Sequence, residues 1–225
     1  MNDTLISVII PVFNGEEFIQ EAIESIFSQK YHPIEIIIID DGSKDSTKKI
    51  VSQFPEIQYH YQTNQGPAKA RNVGLSFAGG SLIAFLDADD YWSDQKLDIQ
   101  FNLMKNNPSV DIVLGHVQFI CPVQKQKDNY KYVPYLQPWM APSLGNALIK
   151  RSVFDLIGNL DEEQFYCDDI DWFKRVREKN LTILEHNDVT YYYRRHENNI
   201  TNNDQLGKQF LLQAVKKSLD RKRNI

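Results

Sequence analysis

Residues 82–90 read Leu-Ile-Ala-Phe-Leu-Asp-Ala-Asp-Asp, an apolar run that ends abruptly in carboxylates. A short apolar run without polar alternation is typical of a strand that is buried on both faces of a parallel sheet. The acidic residues then follow the carboxyl end of that strand. Ligands of open α/β sheets bind beyond the carboxyl ends of the strands, so Asp87 to Asp90 are predicted to face a ligand crevice.

The same pattern occurs twice nearer the N-terminus. The strand predicted at 7–12 ends at Phe13 and Asn14, and the strand predicted at 34–39 ends in Asp-Asp-Gly-Ser at 40–43. Helical patterns separate these strands, and strands that alternate with helices form a mostly parallel sheet flanked by helices. We therefore predict an α/β, Rossmann-like fold in which the three polar clusters share one crevice.

The 225 residues are enough for one large domain. We expect a regular first half over about 1–110, a less regular second half over about 111–202 and an amphipathic helix over 203–225. Polar residues 122–138 are predicted to form a long loop, and a loop of that length can act as a lid. The apolar side of the last helix is predicted to carry Leu206, Phe210, Val215 and Leu219.

Composition argues against several classes of protein. A net charge of −5 disfavours nucleic acid as a partner, and the two cysteines form neither a disulfide framework nor a zinc pattern. The apolar stretch at 5–13 is too short for a signal peptide or a membrane span, so a cytoplasmic location is expected. The basic residues that end the last helix are either a solvated helix end or a contact with the inner face of an anionic membrane.

Asp87 and Asp89 stand two residues apart, with the small Ala88 between them. Such carboxylates leave room for a bulky ligand and a cation, and hard oxygen ligands suit Mg²⁺ or Mn²⁺. A bound cation would neutralise a diphosphate and improve it as a leaving group. The alternative is a solvated turn between a strand and a helix.

Asp169 falls at the centre of the apolar stripe of a helix predicted over 167–179, with Asp168 and Asp171 to its sides. A carboxylate aimed inward caps the helix, is paired or is functional, because burying it unpaired is costly. As a functional group it would be a general base whose pKa is raised by burial. The alternative is a favourable interaction with the helix N-terminus.

Other candidates each have a structural alternative. The segment 66–72 opens a predicted helix, where Arg71 either receives an anionic group or is exposed beside tightly packed small residues. Asp41 either accepts hydrogen bonds from a nucleotide or belongs to a turn. His196 is either a ligand or a structural residue, and Trp139 follows the long polar segment, where it could stack on a sugar face.

Taken in order, these motifs resemble the family 2 glycosyltransferases. The matching segments are 7–14, 40–47, 64–74 and 87–89, and the likeness continues to about Thr201. It implies a GT-A fold and an inverting, Mn²⁺- or Mg²⁺-dependent transfer from a nucleotide-diphosphate sugar, expected to be a UDP-sugar. The acceptor would be a hydroxyl group of a glycan, a lipid-linked sugar or another molecule.

The resemblance also implies roles for single residues. Asp169 matches the catalytic base, usually the Asp of a Glu-Asp pair, and here Asp168 replaces the Glu. Asp41 would contact the base of the nucleotide. The implied nucleotide-sugar contacts are Pro11, Val12, Phe13, Asn14, Asp41, Gly66, Arg71, Asp87 and Ala88. The implied metal ligands are Asp89, His196 and Asp87. The candidate acceptor contacts are Asp168 and, from its position after the polar segment alone, Trp139.

Two other functions compete with this interpretation. A nucleotidyltransferase would carry a glycine-rich, basic triphosphate loop after its first strand, and residues 11–15 lack that pattern. A non-catalytic nucleotide-sugar-binding module would have lost the base or a metal ligand, but Asp169, Asp87 and Asp89 are all present.

Overall fold

The computed structural model describes residues 4–126, 129–164, 167–197, 199, 202 and 204–223. The strands among them are β1 (Ile6–Val12), β2 (Ile34–Asp40), β3 (Gln58–Tyr61), β4 (Leu82–Phe85), β5 (Tyr91–Trp92), β6 (Ile112–Gln126), β7 (Asn129–Pro134), β8 (Ala147–Lys150) and β9 (Ile183–Arg194). The helices are α1 (Ile19–Phe27), α2 (Thr47–Val51), α3 (Pro67–Phe77), α4 (Lys96–Asn106), α5 (Arg151–Ile157), α6 (Asp168–Glu178) and α7 (Asp204–Arg223).

These strands form one sheet in the order β3-β2-β1-β4-β8-β6-β9-β5, and β7 pairs with β6 beside this path. The first four strands are mutually parallel, β6 and β9 are parallel to each other, and β8 runs antiparallel between β4 and β6. The predicted α/β fold with a mostly parallel sheet is therefore confirmed. The register pairs Val12 with Asp40 and Ile9 with Phe85, so β1, β2 and β4 end along one edge.

Two buried clusters cover the two faces of the sheet. Val8 and Ile10 of β1 belong to one cluster and Ile9 belongs to the other, because successive strand residues point to opposite faces. Helices α1 and α4 pack on the first face, and α3, α5 and α6 pack on the second. The continuous apolar strands seen in the sequence reflect this burial on both sides.

The prediction of a long loop at 122–138 is wrong. β6 continues to Gln126 and β7 pairs with it in antiparallel register, so most of this segment is a β-hairpin with an irregularity between Pro122 and Gln124. A two-stranded ribbon at the side of a sheet does not need the apolar alternation by which strands are recognised in a sequence. Because the segment is mostly a hairpin, the length of a loop no longer supports a lid here.

The apolar side predicted for α7 is also wrong in part. Ala214 and Ser218 are buried, whereas Leu219 is 51% exposed. The predicted helix start at residue 203 lies outside the described residues. Polar anchoring to α6 sets which face is turned inward, because Ser218 Oγ and Arg221 Nε donate to the Glu178 carboxylate at 2.6 and 2.8 Å.

We expect Gly74→Ala to lower the free energy of unfolding by about 1–3 kcal/mol, measured by urea denaturation, because the change overpacks the core. The added carbon would lie 2.3 Å from Ile9 Cγ2, and Ile9 is fully buried in β1. Gly207→Ala in α7 is the matched control, since nothing lies within 4 Å of its added carbon. That variant should be as stable as the parent or gain up to about 1 kcal/mol from helix propensity. Equal effects at both positions would contradict the close packing of α3 on β1.

Candidate active site

A cleft of about 660 Å³ lies at the edge of the sheet where β1, β2 and β4 end. This volume is in the range of sites that hold small molecules or cofactors. The sequence-predicted residues that line the cleft are Pro11, Val12, Phe13, Asn14, Asp41, Gly66, Arg71, Asp87, Ala88, Asp89, Asp168, Asp169 and His196.

Asp41 shapes one wall of the cleft from the end of β2. Its buried carboxylate accepts hydrogen bonds from the Gln62 side chain and from the backbone amides of Gln65 and Gly66, at 2.7, 2.9 and 2.8 Å. Gly66 has a φ of 93°, a conformation that glycine adopts without the steric cost of a side chain, and α3 begins at the next residue. Asp41 therefore fixes the loop that leads into α3, and its contact with a nucleotide stays a prediction.

Arg71 lines the cleft and pairs with two of the carboxylates there. It is only 8% exposed, and it donates to Asp168 at 2.7 Å and to Asp87 at 2.5 Å. The alternative in which Arg71 is exposed is thus wrong. The guanidinium binds carboxylates of the protein itself, one after β4 and one at the start of α6.

The start of α6 brings three carboxylates together in an order that differs from the predicted one. Asp171 and Asp168 are 1% and 7% exposed, while Asp169 is half-buried and lines the cleft. The helical wheel placed Asp168 and Asp171 beside the buried stripe, and this was wrong. Arg71 covers Asp168, and α7 covers Asp171. Asp171 pairs with Arg175, four residues further along α6, at 3.0 Å, and Arg221 of α7 adds a contact to Asp171 at 3.1 Å.

Asp169 has the electrostatic surroundings of a general base. Burial and the negative charge of Asp168 raise the pKa of Asp169 to about 7, and Arg71 opposes that rise. A carboxyl group with a pKa near neutrality combines a useful deprotonated fraction with real basicity. The residue before the helix, Cys167, is left-handed with a φ of 62°, and this turn leads directly into the acidic first turn of α6.

The residues suited to a cation are Asp89 and His196. Asp89 Oδ2 and His196 Nε2 lie 3.0 Å apart, and the Asn199 side-chain amide is 3.4 Å from the same oxygen. Adjacent ligands of an octahedral ion, with bonds of about 2.1 Å at right angles, are also about 3 Å apart, so this pair fits a divalent metal. The described part of the chain contains no group of three or more such ligands, and Asp87 is held by Arg71.

Asp90 was given no role by the sequence, and the structure assigns it a structural one. Its carboxylate is buried and accepts a hydrogen bond from the Tyr191 hydroxyl and another from the Arg194 backbone amide at 2.7 Å. Burial and the charges of Asp89 and Asp87 raise the pKa of Asp90 well above its ordinary range. Asp90 thus fastens the end of β9 beside the acidic segment, which positions the chain that leads to His196.

Sequence reasoning missed the contribution of α7. Gly207, Lys208 and Leu211 line the cleft, and the Cys167 thiol lies 3.8 Å from the Gly207 carbonyl oxygen. Lys208 adds a cation to a lining that is rich in carboxylates. No local signal in the sequence connects a helix 120 residues after β4 with the cleft, so only the tertiary packing could show it.

Trp139 is not among the lining residues of the cleft. It is 54% exposed, and its backbone forms a bridge with Val117 of β6. A contact with the acceptor stays a prediction for this residue. Among the described residues, no helix combines the length and the apolar character needed to cross a bilayer.

The chain is similar to known glycosyltransferases in sequence and in structure. A family described as glycosyl transferase family 2 matches residues 7–160, more than half of the chain. The Escherichia coli protein WfgD, a UDP-Glc:alpha-D-GlcNAc-diphosphoundecaprenol beta-1,3-glucosyltransferase, is 37% identical over 123 residues, which are 53% of this chain and 48% of WfgD. An uncharacterized glycosyltransferase of Rickettsia typhi is 33% identical over 189 residues, 77% of this chain and 59% of that protein.

Solved structures of low sequence identity share the fold. Staphylococcus aureus TarS 1–349 in complex with UDP-GlcNAc superposes with a TM-score of 0.70 at 23% identity, over 88% of this chain and 60% of that one. The mannosyltransferase PcManGT from Pyrobaculum calidifontis, in complex with GDP-Man and Mn²⁺, gives a TM-score of 0.72 at 18% identity, over 96% and 64%. The chain spans less than two thirds of the length of the relatives named here.

We expect Arg71→Met to lower the free energy of unfolding by about 3–5 kcal/mol at pH 8, because Asp168 is left buried and unpaired. The loss should shrink at pH 5. Burial already raises the pKa of Asp168, and without Arg71 that pKa rises further, so lowering the pH protonates the group and removes the penalty. Urea denaturation at the two pH values measures both effects.

Lys69→Met is the matched control for this prediction. Lys69 is on the same helix and forms an ion pair with Glu162 at 3.1 Å, but the two side chains are 34% and 45% exposed. Its removal should cost less than about 1 kcal/mol at either pH. A comparable loss in both variants would mean that the buried pairs of Arg71 do not stabilise the fold.

Proposed function

Because the chain belongs to glycosyl transferase family 2, we propose that it transfers a sugar from a nucleotide-diphosphate sugar to a hydroxyl group of an acceptor. The observation that carries the proposal is the meeting of Asp169 with the Asp89–His196 pair in one cleft at the edge of the sheet. The cleft joins a candidate base and a candidate cation site, and a metal-dependent, inverting sugar transfer from a diphosphate donor uses both kinds of group.

The donor is proposed to lie along the ends of β1, β2 and β4. The backbone of residues 11–14 and the Asp41 wall would receive the nucleotide, and Asp87 would contact the ribose. A UDP-sugar is the donor that we test first, since WfgD uses UDP-Glc and TarS is known with UDP-GlcNAc. PcManGT binds GDP-Man on the same fold, so the fold alone does not fix the base.

Asp89 and His196 are proposed to hold a divalent cation at the donor diphosphate. Bound there, such an ion neutralises charge on the diphosphate and so improves it as a leaving group. We favour Mn²⁺ over Mg²⁺ because an imidazole nitrogen is a poorer ligand for Mg²⁺, which prefers oxygen. Lys208 at the mouth of the cleft would contribute further positive charge toward the donor.

Asp169 is proposed as the base of a single in-line displacement. Its carboxylate takes the proton of the acceptor hydroxyl while the acceptor oxygen forms a bond to the anomeric carbon. The bond from that carbon to the diphosphate oxygen breaks, and its electron pair leaves with the nucleoside diphosphate. One displacement inverts the configuration at the anomeric carbon. Asp168 and Arg71 are positioning residues, since their charges set the pKa of the base.

The acceptor is proposed to be a hydroxyl of a growing glycan, and a lipid-linked sugar is the form that we favour. WfgD acts on a sugar carried by diphosphoundecaprenol. Trp139 remains a candidate contact on the acceptor side, and a cytoplasmic location stays a prediction.

Asp169→Asn should lower kcat by about 10²–10⁴-fold while donor binding is retained, because the base is lost and the shape of the cleft is kept. In the parent enzyme, kcat/KM should rise with pH through a pKa near 7, the value to which burial and Asp168 raise the pKa of Asp169. Release of nucleoside diphosphate from a panel of nucleotide sugars with mixed acceptors measures both quantities.

The control for this prediction is Asp155→Asn, at an exposed position of α5 that should leave the kinetics unchanged. A stability readout is available as well. The pKa of Asp169 is higher in the folded than in the unfolded chain, so its ionisation destabilises the fold as pH rises through 7. Asp169→Asn should therefore be more stable than the parent at pH 8. Full transfer activity in this variant would refute the mechanism.

Asp89→Asn and His196→Gln should each weaken Mn²⁺ affinity by at least about tenfold, because each removes one of two protein ligands. Titration of Mn²⁺ in the presence of nucleoside diphosphate, followed by electron paramagnetic resonance, reports this without any turnover. His32→Gln, which changes an exposed histidine, is the control. Transfer that persists unchanged after EDTA treatment would exclude a metal-dependent reaction.

A further inference from the structure

Helix α7 presents exposed leucines to solvent. Leu212 and Leu219 are 70% and 51% exposed, and at a spacing of seven residues they lie on the same side of the helix. Lys216, Lys222 and Arg223 are exposed around them. We call this surface, formed by Leu212, Lys216, Leu219, Lys222 and Arg223, the outer face of α7.

The inner side of α7 is fixed to the rest of the domain by polar contacts. Lys217 donates to Asp161 at 2.5 Å and to Glu163 at 3.1 Å, and Arg221 donates to Glu178 and Asp171. These acids lie on α6 and on the segment before it, so two basic residues of α7 are turned inward. Rotating the helix to bury Leu212 and Leu219 would break these pairs. The pairs therefore hold α7 in the orientation that leaves both leucines exposed.

Charge along α7 is divided between its two sides. Helix α7 has two acids, Asp204 and Asp220, against six lysines and arginines. Two of the six, Lys217 and Arg221, pair with acids of the domain, and the other four are exposed. The chain as a whole carries a net charge of −5, so the basic outer face contrasts with the rest of the molecule. Apolar side chains among exposed cations suit a surface that has a negatively charged outer layer and an apolar interior below it.

The outer face is continuous with the mouth of the cleft. Lys208 and Leu211 line the cleft, and Leu211 is also 41% exposed. Leu212 is the next residue along the helix. A flat surface bound to the outer face of α7 would therefore lie beside the cleft that contains Asp169.

We propose that the outer face of α7 docks the enzyme on an anionic lipid bilayer, with Leu212 and Leu219 inserted among the headgroups and Lys216, Lys222 and Arg223 against lipid phosphates. The inference deepens the proposed function, because docking in this orientation presents the cleft to an acceptor carried by a lipid. An anionic bilayer satisfies the leucines and the cations together. A second copy of this chain would bring like charges face to face.

Co-sedimentation with lipid vesicles tests the docking directly, without donor or acceptor. The full chain should bind vesicles of phosphatidylglycerol and phosphatidylcholine, bind phosphatidylcholine alone far more weakly, and release as salt is raised. Leu212→Ser/Leu219→Ser should lower the partition coefficient at least about tenfold, since two leucines lose their insertion. Lys216→Gln/Lys222→Gln should lower it and reduce its salt dependence.

The matched control is Leu156→Ser, because Leu156 is 58% exposed on α5 and outside the outer face. That variant should bind vesicles as the parent does. All the altered side chains are exposed, and equal melting temperatures will show that the variants fold. Absence of binding to anionic vesicles, or binding that is unchanged in the double leucine variant, would overturn the proposal. A dimer in solution that the leucine variant converts to a monomer would also overturn it, in favour of a second copy.

Failure of the docking and failure of the proposed function are distinguishable. If both hold, Leu212→Ser/Leu219→Ser should transfer sugar normally to a short-chain, water-soluble acceptor and poorly to the same acceptor anchored in anionic vesicles. If sugar transfer is wrong and docking is right, vesicle binding persists while no donor is consumed by any variant. If docking is wrong and transfer is right, both acceptors respond equally to the substitution.

Discussion

Arg71 donates hydrogen bonds to Asp87, just after β4, and to Asp168, at the start of α6, at 2.5 and 2.7 Å. The two carboxylates come from opposite halves of the chain, and both line a cleft that also contains Asp89 and Asp169. Without a buried cation between them, so many carboxylates would repel one another at close range and low dielectric. The geometry of the candidate site therefore depends on one guanidinium that two parts of the chain share.

The donor half of the fold could be predicted because its information is local. Apolar strands followed by polar clusters identify β1, β2 and β4, and the parallel topology then requires their ends to meet. The candidate residues of this half accordingly line one cleft. The hairpin of β6 and β7 was missed because a strand outside the main path of the sheet lacks the apolar pattern that single-sequence reasoning uses.

The parts that could not be predicted depend on contacts between distant segments. A helical wheel assumes one buried side, but α6 has Arg71 on one flank and α7 on the other, so Asp168 and Asp171 are both buried. Polar contacts also change which side of α7 is buried, because Ser218 and Arg221 donate to Glu178 while Leu219 is left exposed. Polar partners thus decided the orientation of both helices, and hydrophobicity alone could not have shown it.

The same interaction holds Asp168, the residue before the candidate base. Asp168 is short, but the left-handed Cys167 and the first turn of α6 bring its carboxylate within 2.7 Å of Arg71. Burial and Asp168 raise the pKa of Asp169, and Arg71 limits that rise. Asp168 is held on Arg71 at the wall of the cleft, and from there its charge acts on Asp169. The short side chain of Asp168 thus reaches the guanidinium because the backbone at Cys167 and the first turn of α6 brings it close to Arg71.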